Sequence, residues 1–386
     1  MKDLFSNRNF TLGILGGGQL GKMLLTETRK YDITTKVMDP SADAPGKLAS
    51  NRFVQGDLKD FQTVVDFGSD VDVLTIEIEA VNVEALEELE SKGVKVYPQP
   101  KVLKLIQNKV RQKNFYAERD IPTAPFTVFD SAEELIASAR SGALSLPFVW
   151  KAAEGGYDGF GVHVVRTEED LNKLGGGSCL AEDLVPFQKE ISVIVARTPS
   201  GTLQTYPTVE MEFHPTANQV EFVICPSTLS PALEAKAQEL AKKTAEAFDI
   251  VGLMAVEMFL TEDGEILVNE VAPRTHNSGH LTIESNYTSQ FEQQIRAVLD
   301  MPLGSTRIKC PAVMANLVGS EGHTGEVVYA GYSNLLGMEG VNIHIYGKTD
   351  TRPFRKMGHV TVVGPTPEEA REMAKIAKDH IRVEAK

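Results

Sequence analysis

The chain has 386 residues, of which 42% are hydrophobic and 24% charged, enough for two or three soluble domains that need no disulfide or metal to hold a core. Its formal charge of −14 disfavours broad attraction to nucleic acid or to an anionic membrane, and no apolar run approaches the roughly 18 residues of a membrane span. Cys179, Cys225 and Cys310 form no CxxC pair and cannot all pair with one another, and the leading MKDLFSNRNF lacks an apolar signal core, so a cytoplasmic location is expected.

Phe10 to Leu15 reads as a buried strand, followed by GGGQLG at 16–21, a helix from Leu20 to about Lys30 and a second strand, TTKVMD, ending at Asp39. VDVLTI at 71–76 and VKVY at 94–97 continue the alternation, which predicts a parallel α/β sheet. This first unit is expected to span 1–103, ending after Pro98 and Pro100. Gly16, Gly18 and Gly21 satisfy G-x-G-x-x-G, with Asp39 where a dinucleotide fold places its ribose acid. That spacing by itself points to an NAD oxidoreductase. Its physical content is narrower: glycines let a backbone approach a ligand, and a helix amino terminus favours an anion. A tight turn without any ligand has the same pattern.

The second unit is expected over 104–300. It opens with a helical stretch from about Val102 to Glu118. Ser131-Ala-Glu-Glu134 is a capping box, and Gly142 is placed to end that helix. PFVWKA at 147–152 and VHVV read as strands flanking GGYDGFG at 155–161. Four glycines in seven residues beside Lys151 suit a flap whose N–H groups cover phosphates, with the lysine adding a point charge. A glycine-rich hairpin with a solvated lysine is the plainer alternative. KEISVIVAR at 189–197 alternates like a half-buried strand, and apolar residues at 233, 237, 240, 241, 245 and 248 form a helical stripe.

LMAVEMFL at 253–260 and EILVNE at 265–270 predict a hairpin across TEDG. A four-residue loop sets Leu260 against Glu265 and Glu257 against Val268, so Glu270 shares a sheet face with Glu257 one diagonal away. A three-residue loop would put the two glutamates on opposite faces. Carboxylates that close are costly without a cation between them, and oxygen-only donors suit Mg²⁺, with Mn²⁺ as the alternative. Asn269 points to the other face unless a bulge re-aims it. The plainer reading is a solvated glutamate face, which Val256, Met258 and Phe259 argue against.

Arg274, His276, Asn277, Ser278 and His280 crowd into APRTHNSGH, a density that suits an anion-binding loop. A zinc pair at His276 and His280 is disfavoured by Ser278 and Gly279 and by the lack of a third ligand. The third unit, 301–386, has strand-like AVMANLV, VNIHIY and HVTVV, then a helix opened by Thr366-Pro367-Glu368-Glu369. Lys348, Arg352, Arg355 and Lys356 reverse the local sign of charge, as a phosphate site or as a solvated face.

GILGGGQLGKM, TIEIE, KAAEGGYDGFG, AVEMF, VNEVAPRTHNSGH and YGKTDTRPFRKMGH together resemble the ATP-grasp superfamily, and within it the N5-carboxyaminoimidazole ribonucleotide synthetases. The resemblance spans nearly the whole chain. It implies an ATP-grasp fold, preceded by a Rossmann-like α/β domain and followed by a small β-rich domain. It also implies ATP-dependent carboxylation of aminoimidazole ribonucleotide by bicarbonate in a homodimer. By the same resemblance, Lys109 and Lys151 would contact ATP phosphates beneath the flap of Gly155, Gly156, Tyr157, Asp158, Gly159, Phe160 and Gly161. Glu182, Asp183, Leu184 and Val185 would read adenine, Glu190 would hold the ribose, and His214 is a further nucleotide-site position. Glu257 and Glu270 would hold the metal, with Asn269 beside them. Gln19, Leu20, Glu77, Tyr157 and Asp158 would line the aminoimidazole ribonucleotide site, with Lys348 and Arg355 on its phosphate. Arg274, His276 and Asn277 would hold bicarbonate and carboxyphosphate. The chain departs from the pattern at Phe160, where members commonly carry Arg or Lys. The remaining alternatives are another ATP-grasp carboxylase or transformylase, and an NAD-dependent oxidoreductase.

Overall fold

The computed structural model describes residues 10–155, 161–217 and 219–386. The chain opens with β1 (Thr11–Leu15), α1 (Gln19–Lys30), β2 (Thr34–Asp39), β3 (Arg52–Gln55), α2 (Phe61–Gly68), β4 (Val73–Ile76), α3 (Val83–Ser91) and β5 (Lys95–Tyr97). The five strands form one sheet in the order β3-β2-β1-β4-β5, every pairing parallel. Buried apolar strands of this kind need helices on both faces, and separate apolar clusters fill them. This arrangement sets the carboxyl ends of β1, β2 and β4 side by side.

Next come α4 (Pro100–Ile106) and α5 (Lys109–Glu118). The single helix expected from Val102 to Glu118 is therefore two. Asn108 leaves helical geometry at φ −125° and ψ 111°, and its side chain accepts the Arg111 N–H, so it caps a new helix. A small antiparallel sheet follows, built from β6 (Phe126–Phe129), β7 (Phe148–Ala152), β8 (Val162–Val165) and β9 (Cys179–Asp183) in the order β6-β9-β7-β8. It is covered by α6 (Ala132–Arg140), which Ser131 caps as its motif predicts.

The large sheet begins with β10 (Phe187–Arg197), β11 (Leu203–Thr205), β12 (Val209–Phe213) and β13 (Val220–Cys225). After α7 (Pro231–Phe248) come β14 (Gly252–Thr261) and β15 (Ile266–Ala272). The buried stripe of α7, from Ala237 to Phe248, packs with β10 and β14 around the largest apolar cluster. Two helices, α8 (Thr282–Ser285) and α9 (Gln290–Val298), precede β16 (Ala312–Val318), β17 (Gly325–Ala330), β18 (Val341–Ile345), β19 (Asp350–Thr351), β20 (Lys356–Val363), α10 (Pro367–His380) and β21 (Arg382–Ala385). The order β15-β14-β10-β12-β13-β16-β20-β18 shows that strands of the third segment extend the sheet of the second. Among the described residues, no helix is long and apolar enough to cross a membrane.

Candidate active site

The first glycine loop closes on the protein's own carboxylates. Glu77, just beyond β4, accepts the Gly18 N–H at 3.0 Å and the Gly21 N–H at 2.8 Å. Asp39, at the end of β2, accepts the Gly17 N–H at 2.8 Å and that of Ser41 at 2.8 Å. A Cβ at Gly18 would lie 2.7 Å from Glu77 Oε1, and at Gly16, where φ is +96°, 2.8 Å from the same oxygen. The glycines are needed because a carboxylate, not a cofactor, reaches the amino terminus of α1. The donors a dinucleotide phosphate would use are taken, and Asp39 is committed to the loop. This corrects the NAD reading of the motif. Burial raises the Glu77 carboxyl above its ordinary range, against the pull of the two N–H groups. Gln19 is half-buried at the start of α1, whereas Leu20 turns into the core.

Glu79, two residues further along the chain, takes the Arg274 guanidinium through both oxygens, Nη2 lying 3.1 Å from Oε1. Burial would raise Glu79, yet Arg274 holds it below its ordinary range. Glu79 was not singled out in the sequence. The alternation in TIEIE, which puts Glu77 and Glu79 on one face, is the signal that could have found it.

The predicted hairpin forms in a different register. Leu260 faces Ile266 and Thr261 closes on Glu265, a three-residue turn with Gly264 at φ +78°. That turn by itself would send Glu257 and Glu270 to opposite faces. A bulge at Asn269 restores them: Met258 faces Val268, but Glu257 faces Glu270 directly, not diagonally. The extra residue is held in place from outside the hairpin. Val268 donates its N–H to Pro122 O at 2.7 Å and accepts from Thr123 Oγ1 at 2.6 Å.

Two lysines converge on the bulge. Lys109, first residue of α5, places Nζ 2.6 Å from Glu270 Oε2, and its N–H bonds Ala153 O at the base of the flap. Lys151, on β7, bonds Asn269 Oδ1 at 2.9 Å and Glu182 at 2.8 Å. The bulge thus turns Asn269 toward the lysines. Lys109 holds Glu270 down at about 2, against burial. Glu190, on β10, is pushed up to about 8 by burial and by the charges of Glu257 and Glu270. Glu182, placed in the adenine hinge by resemblance, has a buried carboxylate shared between Lys151 and Lys113. Burial pulls Lys113 down to about 8 even beside Glu182. Asp183 ends β9 and is exposed, while Leu184 and Val185, both half-buried, begin the turn to β10.

His276 Nε2 lies 3.0 Å from Glu257 Oε1. Its Nδ1 faces the Ser278 N–H at 3.3 Å and Ser278 Oγ at 2.9 Å, and an accepting Nδ1 leaves Nε2–H to donate to Glu257. His280 belongs elsewhere: it is buried beside His359 and bonds Gln290 at 3.1 Å. The two histidines do not form a zinc pair, and no group of three His, Cys, Asp or Glu among the described residues is arranged to hold a metal ion. Asn277 pairs with Asn316 of β16.

Lys22 of α1 donates to Ile345 O at 2.8 Å, which brings the segment carrying Lys348 beside the first glycine loop. Lys348 itself bonds Lys356 O at 2.7 Å, and Arg355 bonds Asp350 O at 2.6 Å. His214 accepts from Ala217 N–H at 3.2 Å and closes the β12–β13 turn, its ring 5.8 Å from Phe354. In the flap, Gly155 and Gly161 have φ of +78° and +71°, while the expectations for Gly156, Tyr157, Asp158, Gly159 and Phe160 lie outside the described residues.

Three family profiles match in order: a ribonucleotide synthetase preATP-grasp domain at residues 10–107, an ATP-grasp domain at 114–291, and a phosphoribosylaminoimidazole carboxylase C-terminal domain at 312–373. The chain is 37% identical to the N5-carboxyaminoimidazole ribonucleotide synthase of Bacillus subtilis, covering 93% of this chain and 92% of that protein. It is 37% identical to the chloroplastic phosphoribosylaminoimidazole carboxylase of Vigna aconitifolia over 92% of its own length, but spans only 64% of that longer protein. The Aspergillus clavatus N5-carboxyaminoimidazole synthase, solved with ADP and 5-aminoimidazole ribonucleotide, superposes with a TM-score of 0.85 at 35% identity, covering 96% of this chain and 98% of that one.

Proposed function

The chain belongs to the N5-carboxyaminoimidazole ribonucleotide synthase family of ATP-grasp ligases, which use ATP to carboxylate 5-aminoimidazole ribonucleotide, and from that membership we propose how its own residues divide the work. The observation that carries the reading is the direct pairing of Glu257 with Glu270 beneath Lys109 and Lys151. Two facing carboxylates beside a neighbour pushed up to about 8 form an acidic pocket whose repulsion a divalent cation relieves. Both donors are hard oxygens, and the set fits Mg²⁺. Once bound by Glu257 and Glu270, the ion would neutralise phosphate charge.

Lys109 and Lys151 would exchange their contacts to Glu270 and Asn269 for phosphate oxygens of ATP. Glu182 to Val185 would meet adenine and Glu190 the ribose. Arg274, His276 and Asn277 would hold bicarbonate, a weak nucleophile that must be placed in line. Its oxygen forms a bond to the γ-phosphorus as the bond to ADP breaks. Carboxyphosphate then splits into CO₂ and phosphate, and the exocyclic amine adds to CO₂ and sheds a proton. Carboxyphosphate is labile in water, so the site would have to keep water out while it persists. Gln19, Glu77, Tyr157 and Asp158 would line the aminoimidazole site, Leu20 offering only its backbone there because its side chain is buried, with Lys348 and Arg355 on its phosphate. The position of Lys348 near α1 supports that grouping. A homodimer and a cytoplasmic location complete the proposal.

ADP release tests it. The rate should rise when aminoimidazole ribonucleotide and bicarbonate are added together, and formate should not replace bicarbonate. Equal stimulation by formate would transfer the chain to a transformylase reading.

A further inference from the structure

We propose that Asn316 is a positioning residue for this reaction, setting which edge of the Asn277 amide meets the bound anion. The inference rests on the reading above that Asn277 faces bicarbonate or carboxyphosphate.

Asn316 interrupts an apolar strand. Ala312 and Met314, on the same face of β16, pack with Leu281 and Val209, and Asn316 itself is 2% exposed. An amide buried there is costly unless its hydrogen bonds are made. All three partners are present. Nδ2 donates to Val220 O at 2.8 Å and to Asn277 Oδ1 at 2.9 Å, and Oδ1 accepts from Asn277 Nδ2 at 2.8 Å.

The chemistry of the partners fixes the orientation of both amides. A peptide carbonyl can only accept, so Val220 requires the NH₂ end of Asn316. Turning the Asn316 amide over would set oxygen against oxygen. With Asn316 fixed, the edge it shows to Asn277 carries one donor and one acceptor. Asn277 must answer with the complementary edge, its Oδ1 toward Nδ2 and one N–H toward Oδ1. Its second N–H is left over on the side away from Asn316. Asn277 is half-buried and follows His276 in chain order, so that donor is available to an anion held by the Arg274–His276 loop. The reversed amide would turn a carbonyl lone pair toward the same anion.

The test compares Asn316→Asp, Asn316→Leu and Asn277→Ala by steady-state ADP release in the presence of aminoimidazole ribonucleotide. Aspartate has no N–H, so whichever way Asn277 turns, its oxygen meets a carboxylate oxygen; the selected orientation is lost and a negative charge is added near the anion. The KM for bicarbonate should rise about tenfold or more, with the KM for ATP and kcat at saturating bicarbonate within about twofold. Leucine is close in volume and suits the apolar face of β16. It leaves Asn277 free to turn over, and a rise of about three- to fivefold is expected. The leucine variant carries the test if aspartate prevents folding. Asn277→Ala separates the two levels of the argument. If it leaves the bicarbonate KM unchanged, the assignment of Asn277 to the anion fails. If it raises that KM while a folded Asn316→Leu does not, the orientation proposal alone is overturned. A parallel loss of ATP affinity and kcat in Asn316→Leu would also overturn it, because that is the mark of a purely structural role.

Discussion

Two pairs of glutamates, Glu77 with Glu79 and Glu257 with Glu270, stand in opposite electrostatic situations. The first pair is matched inside the protein: Gly18 and Gly21 donate to Glu77, and Arg274 grips both oxygens of Glu79. The second pair is set face to face with Glu190 nearby, and burial together with the charges of Glu257 and Glu270 raises Glu190 to about 8. Lys109 offsets the repulsion at Glu270, which it holds low, whereas Glu190 stays raised. A carboxylate whose hydrogen bonds are filled by backbone serves as a fixed wall. On the proposal above, the crowded pair is the one that would take a cation from solution.

This contrast can be broken at three points. The largest effect is expected from Glu270→Gln. Removing one charge of the crowded pair should lower turnover about 100-fold or more at saturating ATP and Mg²⁺, if a few kcal/mol of transition-state stabilisation go with it. Near-normal ADP release would show that the pair is not the metal site. A smaller, more selective effect is expected at the matched pair. In Gly16→Ala the new Cβ meets Glu77 at a positive φ, so the loop must shift. Stability should fall by about 1–3 kcal/mol in urea unfolding, and the KM for aminoimidazole ribonucleotide should rise more than that for ATP. An unchanged KM for both would remove Glu77 from the substrate site.

The mildest test concerns Glu190 in the ligand-free protein. Its folded carboxyl titrates at about 8 against an ordinary 4.5. A group raised in the folded state stabilises fully below its unfolded value and loses that contribution as pH rises through its folded one. Wild-type stability should therefore carry a downward slope between about pH 4.5 and 8 that Glu190→Gln lacks. Urea midpoints near pH 5.5 and 8.5 measure this, and parallel profiles for the two proteins would show that Glu190 is not crowded.

Much of the scaffold was readable residue by residue. The β1 and β2 strands, the capped helices behind Ser131 and Thr366, and the α7 stripe all follow from local chemistry or periodicity. The break between α4 and α5 is also local, but Asn108 within a helical pattern has two readings, and the cap won. The glutamate pair was expected on one face, yet by a loop count that the structure does not follow. The turn is three residues long, and the bulge at Asn269 compensates for it. That bulge depends on Pro122 and Thr123, some 145 residues away in the chain. Nothing near Asn269 announces it.

By itself the sequence determined the strand–helix order, the two glycine loops and the chemical types gathered near each, because periodicity and capping act over a few residues. Which donors meet which acceptors was decided only in the folded chain. Glu77 filling its own glycine loop, Glu79 gripping Arg274 and Asn316 orienting Asn277 are each contacts between segments far apart in sequence. Their hydrogen bonds depend on position to within fractions of an ångström, and only the packing of separate elements sets position that finely.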